Sequence, residues 1–375
     1  MSEAKQWAHL VKPLEIKDGP PGLYPLPRLW AEGKDYEGFE GNFSYGFFTR
    51  PTVCHPVEGA VVHPYDEILL FAGTDLTDLL AFDAEMSIEL GEEREEHVFN
   101  IATVVCIPRG MPHGAVRVRK IGSKAIAHYH FGLAAEYQGE LIPEASLPVK
   151  TSGTKYAHLL HPMRTYRSAE DMAATHANDP GLLERAKAKA DPQRARDEER
   201  GVLHPRDTEG PGSADSMVCM FGREMNDMLF NFTWGFYSGV GDWGVEGDDN
   251  DRGHAHPEPE AIIWLGMNPD DLGYLGAEIE LAMGPEHEWH VIDRPTFVVA
   301  PGGFLHTPLF TRRVDDPHIF MIGMLGEEYV GLPTQDPSVA GAQNRSERDA
   351  GRKEVRQILH RGLRRSEKGD ASGRS

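Results

Sequence analysis

Two stretches, "HPYDEILLFAG" (63–73) and "HPEPEAIIWLG" (256–266), lie 193 residues apart and share a His-Pro-x-x-Glu opening, a short apolar run and a closing glycine. Extended without gaps, His63 to His113 against His256 to His306, the match gives eighteen identities in fifty-one positions. Unrelated sequences of ordinary composition would share about three. The chain therefore carries one unit twice. Upstream, "NFSYGFF" (42–48) answers "NFTWGFY" (231–237) at an offset of 189, so each copy opens on an aromatic strand.

The retained residues are turn-formers and ligand types: His63/His256, Glu67/Glu260, Gly73/Gly266, Gly91/Gly284, His97/His290, Pro108/Pro301, Gly110/Gly303 and His113/His306. Between them, apolar runs such as "EILLF", "TVVCIP", "AIIWLG" and "TFVVAP" alternate with Gly, Pro and Asp at strand-and-turn spacing, which predicts an all-β fold. Residues 169–201 are Ala-rich and charged, which favours short helices in a linker. The expected organisation is an N-terminal domain over 1–150, a linker with short helices over 151–215, a C-terminal domain over 216–335 and a charged tail over 336–375. From Gln343 onward the tail has ten Lys or Arg against five Asp or Glu, and it is assigned no chemistry.

At 375 residues and 40% hydrophobic content the chain is long enough for two cores, and its net charge of −21 disfavours a nucleic-acid partner. A small-molecule substrate is expected instead. Cys54, Cys106 and Cys219 form no CxxC pair, so neither a disulfide framework nor a zinc ribbon is encoded. With no signal-like N-terminus and no apolar run of about 20 residues, a cytoplasmic location and no membrane partner are expected.

His254, His256 and Glu260 are spaced by two and four, which places all three on one face if the segment stays extended. His306 follows in "PGGFLH", a Pro-x-Gly-x-x-His turn that sets its imidazole at a strand start. Imidazole with carboxylate suits a divalent transition metal rather than Ca or Mg. The first copy keeps His63, Glu67 and His113 but has Val61 where the second has His254. It is thus a possible second metal site lacking one ligand, with His55, His128 or His130 available to complete it.

Other features have a plainer reading beside the functional one. His97 and His290 follow acidic turns and suit edge-strand pairing with carboxylates better than metal ligation. Met217, Met220, Met225 and Met228 suit a core, and the acidic "VEGDDND" (245–251) suits a solvated loop. Trp264 and Trp234 are candidates to wall a substrate pocket, and Arg109 and Arg117 to hold a carboxylate, although a surface fate is commoner for the arginines.

The His-x-His-x3-Glu element of the second copy and the Pro-x-Gly-x2-His element of both copies resemble the motifs of the cupins, and the pair of copies resembles the bicupins over residues 40–135 and 229–328. That resemblance implies two tandem cupin-type jelly-roll barrels, joined here by a partly helical linker, with a metal held inside. Fe(II) or Mn(II) leads, Ni, Cu or Zn being the others, and a homodimer is implied. The leading expectation is a dioxygenase-type oxidoreductase acting on a small polar substrate. The alternatives are a redox-neutral decarboxylase, isomerase or hydrolase, and a non-catalytic small-molecule-binding bicupin.

Overall fold

The computed structural model describes residues 5–76, 78–166, 217–242 and 253–330. The linker residues 167–216 with their expected short helices, the acidic loop 243–252 and the charged tail from 331 lie outside the described residues. Every named strand pairing is antiparallel, and the helical segments among the described residues are three-residue turns. No described helix is long and apolar enough to cross a membrane.

The first barrel has a seven-stranded sheet in the spatial order Leu160–Pro162, Thr103–Ile107, Glu67–Gly73, Ile126–Gly132, Asn42–Phe48, Arg28–Glu32, Glu15–Lys17. Facing it is a sheet in the order Glu140–Ile142, Ala60–Val62, His113–Ile121, Ala84–Leu90, Glu95–Phe99. The second barrel repeats the plan. Val11–Pro13, Thr296–Ala300, Glu260–Gly266, His318–Met324, Asn231–Tyr237, Met217–Met220 and Thr165–Tyr166 form one sheet, and Gly241–Asp242, His306–Val314, Ala277–Met283 and Glu288–Ile292 the other. Strands distant in sequence interleave within each sheet, as in a jelly roll.

The central strands are buried on both faces, which explains why they are apolar runs rather than alternating ones. In Glu67–Gly73, Leu69 and Phe71 join the interior of the first barrel, whereas Ile68, Leu70 and Ala72 join a core shared with the second barrel. Glu260–Gly266 divides likewise, with Ile262 and Trp264 inward and Ala261, Ile263 and Leu265 in the shared core. The two large sheets therefore pack on each other. Across that seam Trp234 Nε1 donates to the Tyr129 hydroxyl at 2.7 Å, the Tyr45 hydroxyl donates to the Gly266 carbonyl at 3.1 Å, and the Phe131 and Phe230 rings lie 4.7 Å apart. The four methionines upstream of the second aromatic strand are buried in these cores.

The barrels are also laced by exchanged arms. "WAHLVKP" (7–13) and "YAHLLHP" (156–162) are a second, shorter repeat at an offset of 149. The first arm pairs with Thr296–Ala300 of the second barrel, Val11 opposite Val298, and the other pairs with Thr103–Ile107 of the first barrel, Leu160 opposite Val105. Each covers an otherwise open sheet edge. The seats match: the backbone N–H of Trp7 and of Tyr156 donates to Glu288 Oε1 (2.9 Å) and to Glu95 Oε1 (3.2 Å). His290 and His97 pair with the same carboxylates at 2.8 and 2.9 Å, the edge role expected of them. Gly91 and Gly284 both have φ +73°, and a Cβ on either would fall 2.3 Å from the arm's aromatic ring, so glycine is required twice over.

Leu10 and Leu159, buried at the root of each arm, are expected to cost about 2–5 kcal/mol each on replacement by alanine. Because they sit in different barrels, the double variant should lose close to the sum. Denaturant unfolding of the three variants checks this, and a loss under about 1 kcal/mol would mean that the arms are not part of the folded sheets.

His318 is wholly buried in the second barrel, neither ring nitrogen has a hydrogen-bond partner among the described residues, and burial pushes its pKa down to about 4. Between the unfolded value of about 6.5 and that folded value, the unfolded chain takes up a proton that the folded chain refuses. Stability is therefore whole above the upper value and falls as pH drops through the window, by about 3 kcal/mol at its foot. His318→Leu should flatten this part of the acid limb in urea titrations at stepped pH; an unchanged slope would show that His318 contributes nothing to it.

Candidate metal centres

In each barrel a glutamate opens the central strand with its carboxylate inside, Glu67 0% and Glu260 1% exposed. Four residues earlier comes a histidine, His63 or His256. The other late histidine, His113 or His306, starts the long strand of the facing sheet. The Pro-x-Gly turn before it is latched to the first stretch, since the N–H of Gly110 donates to the His63 carbonyl (2.8 Å) and that of Gly303 to the His256 carbonyl (2.7 Å). These glycines have φ +76° and +78° with open space where a Cβ would be, so backbone conformation alone selects glycine there.

The second copy gathers His254, His256, Glu260 and His306, whose candidate ligand atoms all lie within 4.8 Å of one another. His306 Nε2 is 2.8 Å and His256 Nε2 3.5 Å from Glu260 Oε2. The three imidazole rings are 4.4–5.4 Å apart by centroid. One expectation is corrected in its reason. The strand begins only at Glu260; His254 forms an isolated bridge with His306, and Pro257–Pro259 turn between. A turn, not an unbroken alternation, brings the three side chains together.

The first copy gathers His55, His63, Glu67 and His113 within the same 4.8 Å limit. Val61 pairs with His113 as His254 bridges to His306, so the lost ligand position is filled by a buried aliphatic side chain. His55, from the turn after Thr52–Cys54 and at φ +50°, supplies the missing imidazole. Its Nε2 stands 2.8 Å from Glu67 Oε1, His113 Nε2 2.8 Å from Oε2 and His63 Nε2 3.4 Å from Oε1.

The donor chemistry fits a cation. His63 and His113 use Nδ1 to donate to the Gln138 and Met111 carbonyls at 2.6 and 3.0 Å, and His256 and His306 to the Val330 and Phe304 carbonyls at 2.8 and 3.1 Å. A carbonyl only accepts, so each Nε2 is left with a lone pair facing the carboxylate. The Thr307 hydroxyl, which donates to the His306 carbonyl, accepts from His254 Nδ1 at 3.2 Å and fixes that ring in the same sense. Among the described residues, both oxygens of Glu67 and of Glu260, with His63 Nε2 and His256 Nε2, are buried without a hydrogen-bond partner. Lone pairs converging on a buried carboxylate are costly unless a positive ion sits among them.

Electrostatics agree. Burial alone would raise the Glu67 carboxyl, but His63, His55, His113 and His130 outweigh it and hold it well below the usual carboxylate range. Glu260 is lowered likewise, against burial, by His256 and His306. Burial pushes His55 and His63 down to about 4 and lowers His254 and His256, keeping those rings neutral as ligation requires. His306 is raised instead: burial lowers it, but Glu260 beside it prevails.

The pocket candidates fare differently. Trp264 lies inside the second barrel, its Nε1 without a hydrogen-bond partner among the described residues. Trp234 points into the seam between the barrels, because the inward positions of its strand have the other parity. Arg109 is exposed on the turn, only its backbone N–H being engaged by Asp66, and Arg117 pairs with Glu89 at 3.4 Å. Two residues missed from sequence are Tyr137 and Tyr329, which pack on His63 and His256 at 5.2 and 4.7 Å. The signal was present, since Glu-Tyr-x-Gly recurs at 136–139 and 328–331. The three cysteines are buried and free, and burial raises their thiols, Cys54 and Cys219 to about 12.

No family model matches the chain, and no curated protein matches it. Among solved structures, a Lactobacillus farciminis oxalate decarboxylase formate complex is 9% identical with a TM-score of 0.47, covering 87% of this chain and 88% of that one. A mutant of Bacillus subtilis oxalate decarboxylase is 8% identical with a TM-score of 0.48, covering 87% and 79%. The fold assignment rests on strand order and the two clusters rather than on that likeness.

Two equivalents of Mn(II) or Zn(II) per chain is the expected outcome of a metal titration. Glu67→Gln and Glu260→Gln should each remove one, and His55→Ala should weaken only the first, by about 10–100-fold or more. A chain that binds no ion at either cluster would overturn the reading of these donors. The chain thus folds as two jelly-roll barrels in tandem, each with a His/Glu cluster in its interior.

Proposed function

We propose that the protein is a divalent-metal enzyme acting on a small substrate that binds through its own oxygen atoms, with the second-copy cluster as the working centre. The observation that carries this is the set His254, His256, Glu260 and His306, closed around a buried carboxylate that has no hydrogen-bond donor among the described residues, while His254 alone of the four is partly exposed. Substrate approach is assigned to that side.

The residues would hold Mn(II) or Fe(II), with Ni, Cu or Zn as the other ions of this donor set. Such an ion, when bound, polarises a substrate oxygen or brings a second small molecule beside it. The protein's own part is orientation and exclusion of water. Backbone carbonyls fix the tautomers of His256 and His306, and the tilted Tyr329 ring packs against His256 with its hydroxyl kept protonated by burial. The apolar interior made by Ile262, Leu281, Met283 and Met324 keeps the cluster dry. A negative carboxylate and three neutral imidazoles leave a net positive charge with a divalent ion, which favours an anionic substrate.

Both dioxygenation and redox-neutral turnover are open to such a centre. Redox-neutral decarboxylation agrees with the activity named for the oxalate decarboxylases, which are similar in structure; likeness at that level does not choose the reaction, and oxygen consumption does. Screening the metal-loaded protein against oxalate, other oxo-acids, catechols and diketones, with oxygen uptake and CO2 release both recorded, is expected to give turnover with one of them. CO2 without oxygen uptake assigns the redox-neutral reaction, and stoichiometric oxygen uptake the dioxygenase. His256→Ala should cut kcat about a hundredfold or more; wild-type turnover by that variant would sink the proposal.

A further inference from the structure

Arg28 opens the strand Arg28–Glu32 of the first barrel and is 3% exposed. A cation taken that far out of water is costly unless an anion meets it. Arg94, likewise buried, follows the rule, with Glu89 at 2.8 Å and Glu144 at 2.9 Å. Arg28 does not: among the described residues no carboxylate stands within ion-pair distance of it. Its Nε donates to Ser44 Oγ at 3.1 Å and its Nη2 to the His128 carbonyl at 2.8 Å, and its guanidinium lies 4.3 Å from the centre of the Tyr24 ring. The ring face offsets part of the charge, and the Nη1 end is left without an acceptor among the described residues.

Barrel packing does not account for this residue. Sheet register places Met217 where the first barrel has Arg28, so an uncharged side chain serves at that position of the second barrel.

The guanidinium borders a cavity of about 50 Å³ in the barrel wall, lined also by Tyr24, Gly46, Phe48, Arg50 and Thr52. A Cβ on Gly46 would fall 3.0 Å from Arg28 Nη1, so the glycine on the neighbouring strand keeps that end of the guanidinium open to the cavity. Exposed Leu26, Pro27 and Arg50 form the rim, and Arg50 adds a second positive charge there. Tyr24 stands between this cavity and the first metal cluster, with its ring 5.6 Å from that of His55.

We infer that this cavity is a binding site for a short-chain carboxylate, its oxygens on the Nη1 end of Arg28 and its carbon end against Tyr24 and Phe48. The space admits about four water-sized groups, which matches a carboxylate of about two or three carbons. The buried guanidinium selects an anion, since an anion supplies the counter-charge that the fold leaves out. The apolar walls select one with a hydrocarbon end over an inorganic ion that keeps its water. The site is independent of the metal reading above, because the anion meets a fixed side-chain cation and not an ion held by the His/Glu cluster.

Calorimetric titration of the metal-loaded chain at low ionic strength tests this, with acetate, propionate, phosphate and chloride as the probes. Saturable binding of acetate and propionate is expected, and one equivalent per chain should persist when Glu67→Gln and Glu260→Gln are combined to empty both clusters. Arg28→Gln should weaken that equivalent about tenfold or more, and Arg28→Lys, which keeps the charge but not the planar fork, about threefold or more. Gly46→Ala leaves Arg28 in place and crowds its Nη1 end, so it should weaken binding too, and it decides the matter if the Arg28 variants fail to fold. Wild-type affinity in Arg28→Gln or in Gly46→Ala, or no saturable binding at all, would overturn the site. Carboxylate binding lost entirely with the two glutamate exchanges would put it on the metals, overturning the site while supporting the centres. Phosphate or chloride bound as tightly as propionate would overturn the choice of a carboxylate.

Discussion

A carboxylate sealed inside an apolar barrel is the constraint on which the rest of this structure depends. Glu67 and Glu260 are as buried as the leucines beside them, yet both stay ionised because imidazoles crowd them. Such a group is tolerable only if every approaching side chain is held in place. The chain devotes to that task the Pro-x-Gly turns, the backbone carbonyls that accept from Nδ1 of His63, His113, His256 and His306, and the tyrosines packed on His63 and His256. The barrel is thus built to keep a charge where a chain of 40% hydrophobic content would otherwise exclude it.

Packing the barrels back to back sets the second condition. Because the large sheets share a core, their central strands are covered on both faces, and only the parity of a residue decides whether it faces the cluster or the neighbouring barrel. Ser44 and His130 face inward; Tyr45 and Tyr129, one step along, build the seam. The rigidity of the centres is therefore coupled to the rigidity of the interface, since each central strand serves both.

Much of this was legible in the sequence. His254, His256, Glu260 and His306, and their partial counterpart His63, Glu67 and His113, follow from spacing and from what the duplication preserves. The repeat also predicted an all-β chain of two like units, because turn glycines and apolar runs recur in step; that each unit is a barrel followed only from the resemblance to the cupins. His55 was within reach only as a candidate: it comes from a turn, and distance in space is not written as distance along the chain. Trp234 was misjudged because an aromatic strand in a two-sided sheet gives no sign of which parity faces inward. The arms escaped notice because they recur at a different offset from the barrels, being attached to one copy and lodged in the other.

That crossing of the arms has an architectural consequence. An arm that leaves its own barrel to dock on a neighbour is a head-to-tail connector, and with separate identical units it would extend into an open series unless some rotation closed it. Here the series ends at two: each unit both gives an arm and receives one, within a single covalent chain. The molecule is in this sense a ring of two members, and severing the chain between the copies would leave its halves still clasped. Neither copy could be lifted out as a self-sufficient barrel, for it would go with its own edge bare and its arm without a seat.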